Sequence, residues 1–178
     1  MRSKLRKLFP LLAILLLAPW PIAYAHDFAN ASPQVGEIQI ETAESSAAPR
    51  WQAFGNAIGG VDTPGDIFYI DADEYPADIL VTLYITNTNE LSRCYNYLIL
   101  KVGIYVESGT DEWIAASSQD GQPIPETFIT MRNGHVQFTL RGEAKYKVTI
   151  DGGSFRCYTT NVPGGSVSPQ FYLAADQA

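Results

Sequence analysis

Apolar and polar residues alternate along much of this chain with a repeat of two positions. In residues 135–140 and again in 145–150, every second side chain is apolar. Because successive side chains of a strand point to opposite faces, each segment predicts a strand with one buried face. Residues 80–85 are rich in β-branched and aromatic side chains and predict a further strand.

Seven other segments of similar character predict strands at 37–42, 66–70, 95–106, 113–116, 127–131, 155–159 and 170–174. Turn sequences such as Asn133-Gly134 and Asp151-Gly152-Gly153 separate several of them. After the N-terminal region, no segment has the pattern of a capped amphipathic helix. About ten short strands with frequent turns predict an all-β protein, a single-domain antiparallel β-sandwich of jelly-roll or immunoglobulin-like type.

The first 25 residues have a different pattern and predict a signal peptide. Residues 1–7 carry four basic side chains, residues 8–22 are apolar, and Ala23-Tyr24-Ala25 supplies the small residues of a cleavage site. The apolar run is short for a membrane span, which needs about 20 residues. We therefore expect cleavage after Ala25, a mature chain that starts at His26 without a membrane span, and a secreted, extracellular protein. The periplasm and the cell surface are the alternative locations.

The chain that remains after this cleavage is strongly acidic. Four of the 12 Lys and Arg residues lie in the signal segment, so eight are left against 19 Asp and Glu, a net charge of −11. Such a surface repels phosphate backbones, and a nucleic-acid partner is therefore excluded. The charge also favours solubility and attraction of cations.

Cys94 and Cys157 are the two cysteines of the chain. In an oxidising compartment, two cysteines far apart in sequence most often form a disulfide. We expect one bridge between them, and two free buried thiols are the alternative.

Three sequence features occur in a suggestive order. Phe28-Ala29-Asn30 is followed by an alternating strand at 35–40, Pro64-Gly65-Asp66 forms a turn, and the apolar segment 79–91 ends in an Asn-rich turn and Leu91. Together they resemble the camelysin/TasA-like family of secreted bacterial biofilm-matrix proteins, over residues 26–106. Residues 69–76 and the cysteine pair depart from that family's pattern.

The resemblance implies a jelly-roll subunit of an extracellular fibre, in which the N-terminal segment of one subunit completes a sheet in the next. An extended donor satisfies the unpaired N–H and C=O groups of an open sheet edge, and a contact that does not close makes filaments. The donor would be the mobile segment 26–36, ahead of a sandwich domain at 37–178. Its assembly residues are His26, Asp27, Phe28, Ala29, Asn30, Val35 and Gly36.

The partner implied by this strand-exchange hypothesis is a second copy of the chain or another cell-surface protein. Camelysin carries a protease label, but this chain has no His-Glu-x-x-His or other zinc-protease spacing. We therefore expect a structural or interaction protein, with no enzymatic activity and no required cofactor.

Two metal sites are alternatives to a cofactor-free protein. Asp71, Asp73, Glu74 and Asp78 fall between two predicted strands, and carboxylate oxygens suit Ca²⁺, although a solvated acidic loop has the same composition. As the first mature residue, His26 would offer an amine and an imidazole. With His135 it would resemble the histidine brace of copper oxidoreductases such as lytic polysaccharide monooxygenases, because nitrogen ligands suit Cu²⁺. Two unrelated histidines are the simpler interpretation.

Aromatic residues crowd the middle of the chain: Tyr69, Tyr75, Tyr84, Tyr95, Tyr97 and Tyr105, with Trp51 and Trp113. Exposed aromatic rings on a sandwich stack on sugars or anchor a protein partner, whereas buried ones fill the core. A calcium- or carbohydrate-binding surface module is therefore the alternative function.

Overall fold

A computed structural model describes residues 23–25, 38–53, 58–117, 121–158 and 167–178. In this part of the chain, the secondary structure is twelve strands and one short helix, α1 (Thr88–Cys94). The strands are β1 (Ala23–Ala25), β2 (Gln39–Thr42), β3 (Arg50–Ala53), β4 (Ile58–Thr63), β5 (Gly65–Asp71), β6 (Ile79–Ile85), β7 (Tyr95–Glu107), β8 (Trp113–Ala115), β9 (Thr127–Thr130), β10 (His135–Leu140), β11 (Lys145–Cys157) and β12 (Phe171–Gln177). The predicted all-β class is confirmed.

The strands form a smaller and a larger sheet. The smaller sheet has the order β1-β12-β6-β10 and is antiparallel except for the parallel pair β1 and β12. In the larger, eight-stranded sheet, the long strands β11 and β7 lie side by side. On the side of β11 away from β7, β5 pairs with its first half and β4 with its second half. β2 pairs with β5, and β3 pairs with β4. On the side of β7 away from β11, β8 and β9 pair with β7.

Strand β11 corrects one prediction. Asp151-Gly152-Gly153 was expected to be a turn between two strands, but it lies inside one 13-residue strand, where the register to β7 shifts between Ile150 and Gly152. Pairing with β7 on one side and with β5 and β4 on the other fixes this segment as a bulge, so long-range hydrogen bonds override the local turn preference.

A single hydrophobic cluster lies between the two sheets. The alternation predicts its members, since Val136, Phe138 and Leu140 of β10 and Tyr146, Val148 and Ile150 of β11 are all buried. Phe68 of β5 and Phe171 of β12 are fully buried in the same cluster. One core shared by two sheets has the architecture of a β-sandwich, and burial of side chains this large is its main source of stability.

Helix α1 replaces the predicted turn after residue 86. The Asn87 side chain does not cap the helix. Its amide instead donates to the carbonyl of Ser168 at 2.9 Å and its oxygen accepts from the N–H of Gln170 at 2.9 Å. Asn87 is buried and thereby fixes the chain that leads into β12 against the end of β6.

Candidate functional site

Strand β12 is the place where the smaller sheet accepts a strand from the N-terminal region. Ala23–Ala25 runs parallel to it and pairs residue by residue with positions 171–173. The remaining positions of β12, 174–177, pair with β6 on their other side. No described strand pairs with positions 174–177 on the side that faces away from β6.

The backbone groups that form this edge follow from the pairing of β12 with β6. The N–H of Thr86 donates to the carbonyl of Gln170 at 2.8 Å, and the N–H of Ala178 donates to the carbonyl of Asp78 at 2.9 Å. In an antiparallel pair these bonds recur at every second residue, so the even-numbered positions bond to β6. The odd-numbered positions direct their N–H groups to the edge: Phe171, Leu173 and Ala175.

The predicted assembly residues lie outside the described residues, namely His26, Asp27, Phe28, Ala29, Asn30, Val35 and Gly36. The chain on both sides of them is described. β1 ends at Ala25, on the edge of the smaller sheet, and β2 starts at Gln39, on the edge of the larger sheet beside β5. Segment 26–36 therefore begins immediately after the strand that occupies the β12 edge.

A second feature is a network around Lys147 on the outer face of the larger sheet, the face away from the core. Its ammonium lies 3.3 Å from a carboxylate oxygen of Asp66, and the two side chains are 19% and 18% exposed. The same ammonium lies over the rings of Tyr105 and Trp113, at 5.6 and 5.2 Å from their centroids. The Tyr69 hydroxyl donates to Asp66 at 2.8 Å. One carboxylate and two rings thus stabilise a largely buried cation.

Asp151 joins the neighbouring strands of this face. It accepts hydrogen bonds from the hydroxyls of Tyr105 at 2.9 Å and Thr149 at 2.5 Å. Gly103 lies opposite Thr149 in the register of β7 and β11, and a Cβ at this position would overlap both the Thr149 hydroxyl and the Asp151 carboxylate. The glycine therefore provides the space in which these two side chains bond.

The environment of the two tyrosines raises their pKa. For Tyr69, burial acts first and the hydrogen bond to Asp66 second, and together with the negative charges nearby they raise the pKa to about 12. Burial and the bond to Asp151 likewise raise the pKa of Tyr105. Both phenols consequently remain hydrogen-bond donors to a carboxylate well into the alkaline range.

A third feature is a row of rings on the outer face of the smaller sheet. Tyr172 of β12, Tyr84 of β6 and His135 of β10 are direct cross-strand neighbours. The ring centroids of Tyr84 and Tyr172 are 5.9 Å apart, and those of Tyr84 and His135 are 5.7 Å apart. In the next row, the Gln137 amide donates to the Thr82 hydroxyl at 3.2 Å.

The acidic loop is arranged around a lysine. The Lys145 ammonium lies 3.0 Å from Asp71 and 3.3 Å from Asp73, and the N–H of Asp73 donates to Asp71 at 3.2 Å. These partners lower the pKa of Asp71 against the opposing effect of burial, which is the largest single influence. Within the described ranges, no group of three His, Cys, Asp or Glu side chains is placed to hold a metal ion. Calcium binding by this loop, with Glu74 and Asp78, stays a prediction.

Only one of the two histidines of the proposed copper site is among the described residues. His135 is exposed on β10, where its ring contacts Tyr84, and His26 lies outside the described residues. The copper site also stays a prediction.

The predicted disulfide is wrong for this structure, because Cys94 and Cys157 are both free. Cys94 is the last residue of α1, and Cys157, the last residue of β11, pairs with Tyr95, the residue after Cys94. The two segments are close, since the N–H of Tyr158 donates to the Cys94 carbonyl at 3.2 Å. The offset nevertheless pairs Cys157 with Tyr95, and burial together with the neighbouring Cys94 raises the pKa of the Cys157 thiol.

Sequence reasoning missed the residues that connect these features. Lys147, Thr149 and Asp151 fall on alternate positions of β11, but the sequence places the first two only on the polar side of a strand and Asp151 in a turn. Tyr172 was likewise counted only as part of a predicted strand. The one available signal was period two, which places such residues on a common face without identifying the strand beside them.

Among the described residues, no helix has the length and apolar character to span a bilayer. A scan of protein-family models finds no match to the chain. A search of curated proteins also finds no match.

Proposed function

We propose that this protein is a secreted, non-enzymatic structural protein, a subunit of an extracellular matrix or filament that assembles by strand exchange. In this proposal, segment 26–36 of one subunit adds to the edge of β12 in the next. The resemblance to camelysin/TasA-like matrix proteins suggests the mode of assembly. The two-sheet fold supports it, because a sheet with an open edge accepts an added strand.

The observation that carries the proposal is the parallel pairing of Ala23–Ala25 with β12. These three residues are also the predicted recognition sequence for signal cleavage. Cleavage after Ala25 would detach them from the domain and expose the N–H groups of Phe171 and Leu173. The same event would turn residue 26 into a free N-terminus, so that donor and acceptor would become available together.

A head-to-tail contact of this kind uses two different surfaces on each subunit. Unless the rotation closes a ring, such contacts continue into a filament. The net charge of −11 after cleavage opposes non-specific aggregation of the subunits. In this proposal, the subunits associate through specific main-chain hydrogen bonds at one sheet edge and not through non-specific contacts.

The test is electron microscopy and sedimentation of the exported protein, with mass spectrometry to identify its first residue. We expect filaments from the mature chain and soluble monomers after deletion of residues 26–36. Filaments formed by the deleted protein would contradict the proposal.

A second variant tests the acceptor. Ala175→Pro removes an N–H that points to the edge and leaves the even-numbered bonds to β6 intact, so it should fold but not form filaments. It retains its donor, and the deletion variant retains its acceptor. A mixture of the two should therefore give heterodimers by sedimentation, while each alone stays monomeric. Wild-type filaments from a folded Ala175→Pro protein would contradict the proposed edge.

A further inference from the structure

We propose that the outer face of the smaller sheet binds a single chain of a neutral, soluble polysaccharide. The binding residues are the ring row Tyr172, Tyr84 and His135, with the exposed Gln137 beside it. This proposal is independent of strand exchange, because it uses side chains on the face of the sheet and not the backbone of its edge.

The ring row crosses three adjacent strands. Tyr84 is its centre and is 37% exposed. Its neighbours in the row are rings on both sides, at 5.9 and 5.7 Å. Aromatic faces pack against the apolar C–H faces of sugar rings, and contiguous rings provide several such contacts in a line.

The face carries little charge. β12, β6 and β10 place nine described side chains on it: Tyr172, Ala174, Asp176, Leu80, Thr82, Tyr84, His135, Gln137 and Thr139. None of the nine is Lys or Arg, and Asp176, their one carboxylate, lies two rows away from the rings. A face without Lys or Arg, in a chain whose net charge would be −11 after cleavage, complements an uncharged ligand and disfavours an acidic one.

Several other aromatic residues from the middle of the chain are held in the core or in contacts with charged groups. Tyr75 and Tyr95 are 8% and 5% exposed in the core. Tyr105 and Trp113 hold the ammonium of Lys147 between them and Asp66. The Tyr84 row has no charged partner of this kind in the described structure, and this leaves its rings available to a ligand.

The tilt of the rings indicates the form of the polysaccharide. The planes of Tyr84 and Tyr172 differ by 43°, and those of Tyr84 and His135 by 33°. A flat crystalline surface would require nearly coplanar rings, whereas a single chain can twist to follow tilted ones. The exposed amide of Gln137 can exchange hydrogen bonds with the sugar hydroxyls of such a chain.

The test is titration of the mature protein with a soluble β-glucan and a galactomannan, followed by calorimetry, with alginate as the acidic comparison. We expect binding to at least one neutral chain and none to alginate. Tyr84→Ala should weaken binding about tenfold, because stacking of one ring contributes on this scale. Tyr84→Phe retains the ring and should bind almost as the unmodified protein does.

Tyr158→Ala is the matched control, since Tyr158 is 60% exposed and lies after the end of β11, away from this face. It should bind like the unmodified protein. Equal binding by Tyr84→Ala, equal loss in Tyr158→Ala, or no binding to either neutral chain would overturn the proposal. So would loss of self-association in Tyr84→Ala without any polysaccharide binding, because the face would then be a contact between copies of the chain.

Discussion

The two sheets of this protein present outer faces of opposite character. On the larger sheet, Lys147 forms an ion pair with Asp66 and lies over two aromatic rings, and Asp151 accepts hydrogen bonds from both Tyr105 and Thr149. On the smaller sheet, the rings contact one another and the polar groups are neutral. On the larger sheet, the rings of Tyr105 and Trp113 contact the ammonium of Lys147, whereas on the smaller sheet Tyr84 contacts other rings and is 37% exposed.

This difference shows that aromatic content alone does not identify a binding surface. Tyr105 and Tyr84 belong to the same crowded stretch of the sequence, and both lie on outward positions of central strands. Their neighbours across the sheet decide their roles. A tyrosine beside a lysine and a carboxylate is held in a network, whereas a tyrosine beside another tyrosine keeps an accessible face.

The largest loss of stability is expected when the network on the larger sheet is disrupted. We expect Gly103→Ala to lower the free energy of unfolding by about 2–3 kcal/mol, because the new methyl group displaces Asp151 and Thr149 from their hydrogen bonds. Chemical denaturation measures this loss. On the smaller sheet, Gln137→Ala should cost less than about 1 kcal/mol, since Gln137 is exposed and makes one bond to Thr82.

The control for Gly103→Ala is the same substitution in a protein that already carries Thr149→Ala and Asp151→Ala. There the methyl group meets no polar side chain, and its cost should fall to less than about 1 kcal/mol. An unchanged cost in this background would show that the glycine serves the backbone alone.

A smaller effect should appear at alkaline pH. An unfolded tyrosine ionises at a pKa of about 10, whereas Tyr69 does so at about 12 in the folded protein. The unfolded state therefore releases its proton first, and the stability contributed by the neutral phenol is lost as pH rises from 10 to 12. Denaturation midpoints between pH 8 and pH 11.5 should fall less steeply in Tyr69→Phe and in Asp66→Asn. A slope as steep as that of the unmodified protein in both variants would contradict this origin.

The smallest effect is expected at the acidic loop. The Lys145, Asp71 and Asp73 side chains are 40–49% exposed, so Lys145→Ala should leave the melting temperature almost unchanged. The substitution removes the ammonium that the two carboxylates share. Added Ca²⁺ should therefore raise the melting temperature of Lys145→Ala more than that of the unmodified protein, with Mg²⁺ as the comparison. A larger calcium effect on the unmodified protein would show that Lys145 does not compete for the loop.

The fold was largely predictable because its strands alternate regularly. β10 has the predicted bounds, and the start of β11 at Lys145 was also correct. β4 was missed, since Ile58–Thr63 contains two glycines and an aspartate, which are depleted in strands. The bulge at Gly152 and Gly153 was mistaken for a turn, because the choice between them depends on pairing with a strand some 50 residues away.

The candidate surfaces were less predictable than the strands. The two-residue repeat places Lys147 and Tyr84 on outward faces. It does not reveal that Asp66 lies next to Lys147, or that Tyr172 lies next to Tyr84. These pairs are separated by 81 and 88 positions, and only the register of the folded sheets unites them. The disulfide prediction was wrong for a related reason, since the sequence does not reveal that Cys157 pairs with Tyr95, the residue after Cys94.

The most direct test of strand exchange is to find the donor on a neighbour's edge. Assembled protein would be prepared from an equal mixture of ¹⁴N- and ¹⁵N-labelled mature subunits and treated with a dihydrazide that joins carboxylates. We expect cross-links between Asp27 and Asp176 that contain one light and one heavy peptide. Cross-links that join only peptides of the same isotope, or a complete lack of links to β12 in assembled material, would contradict the account.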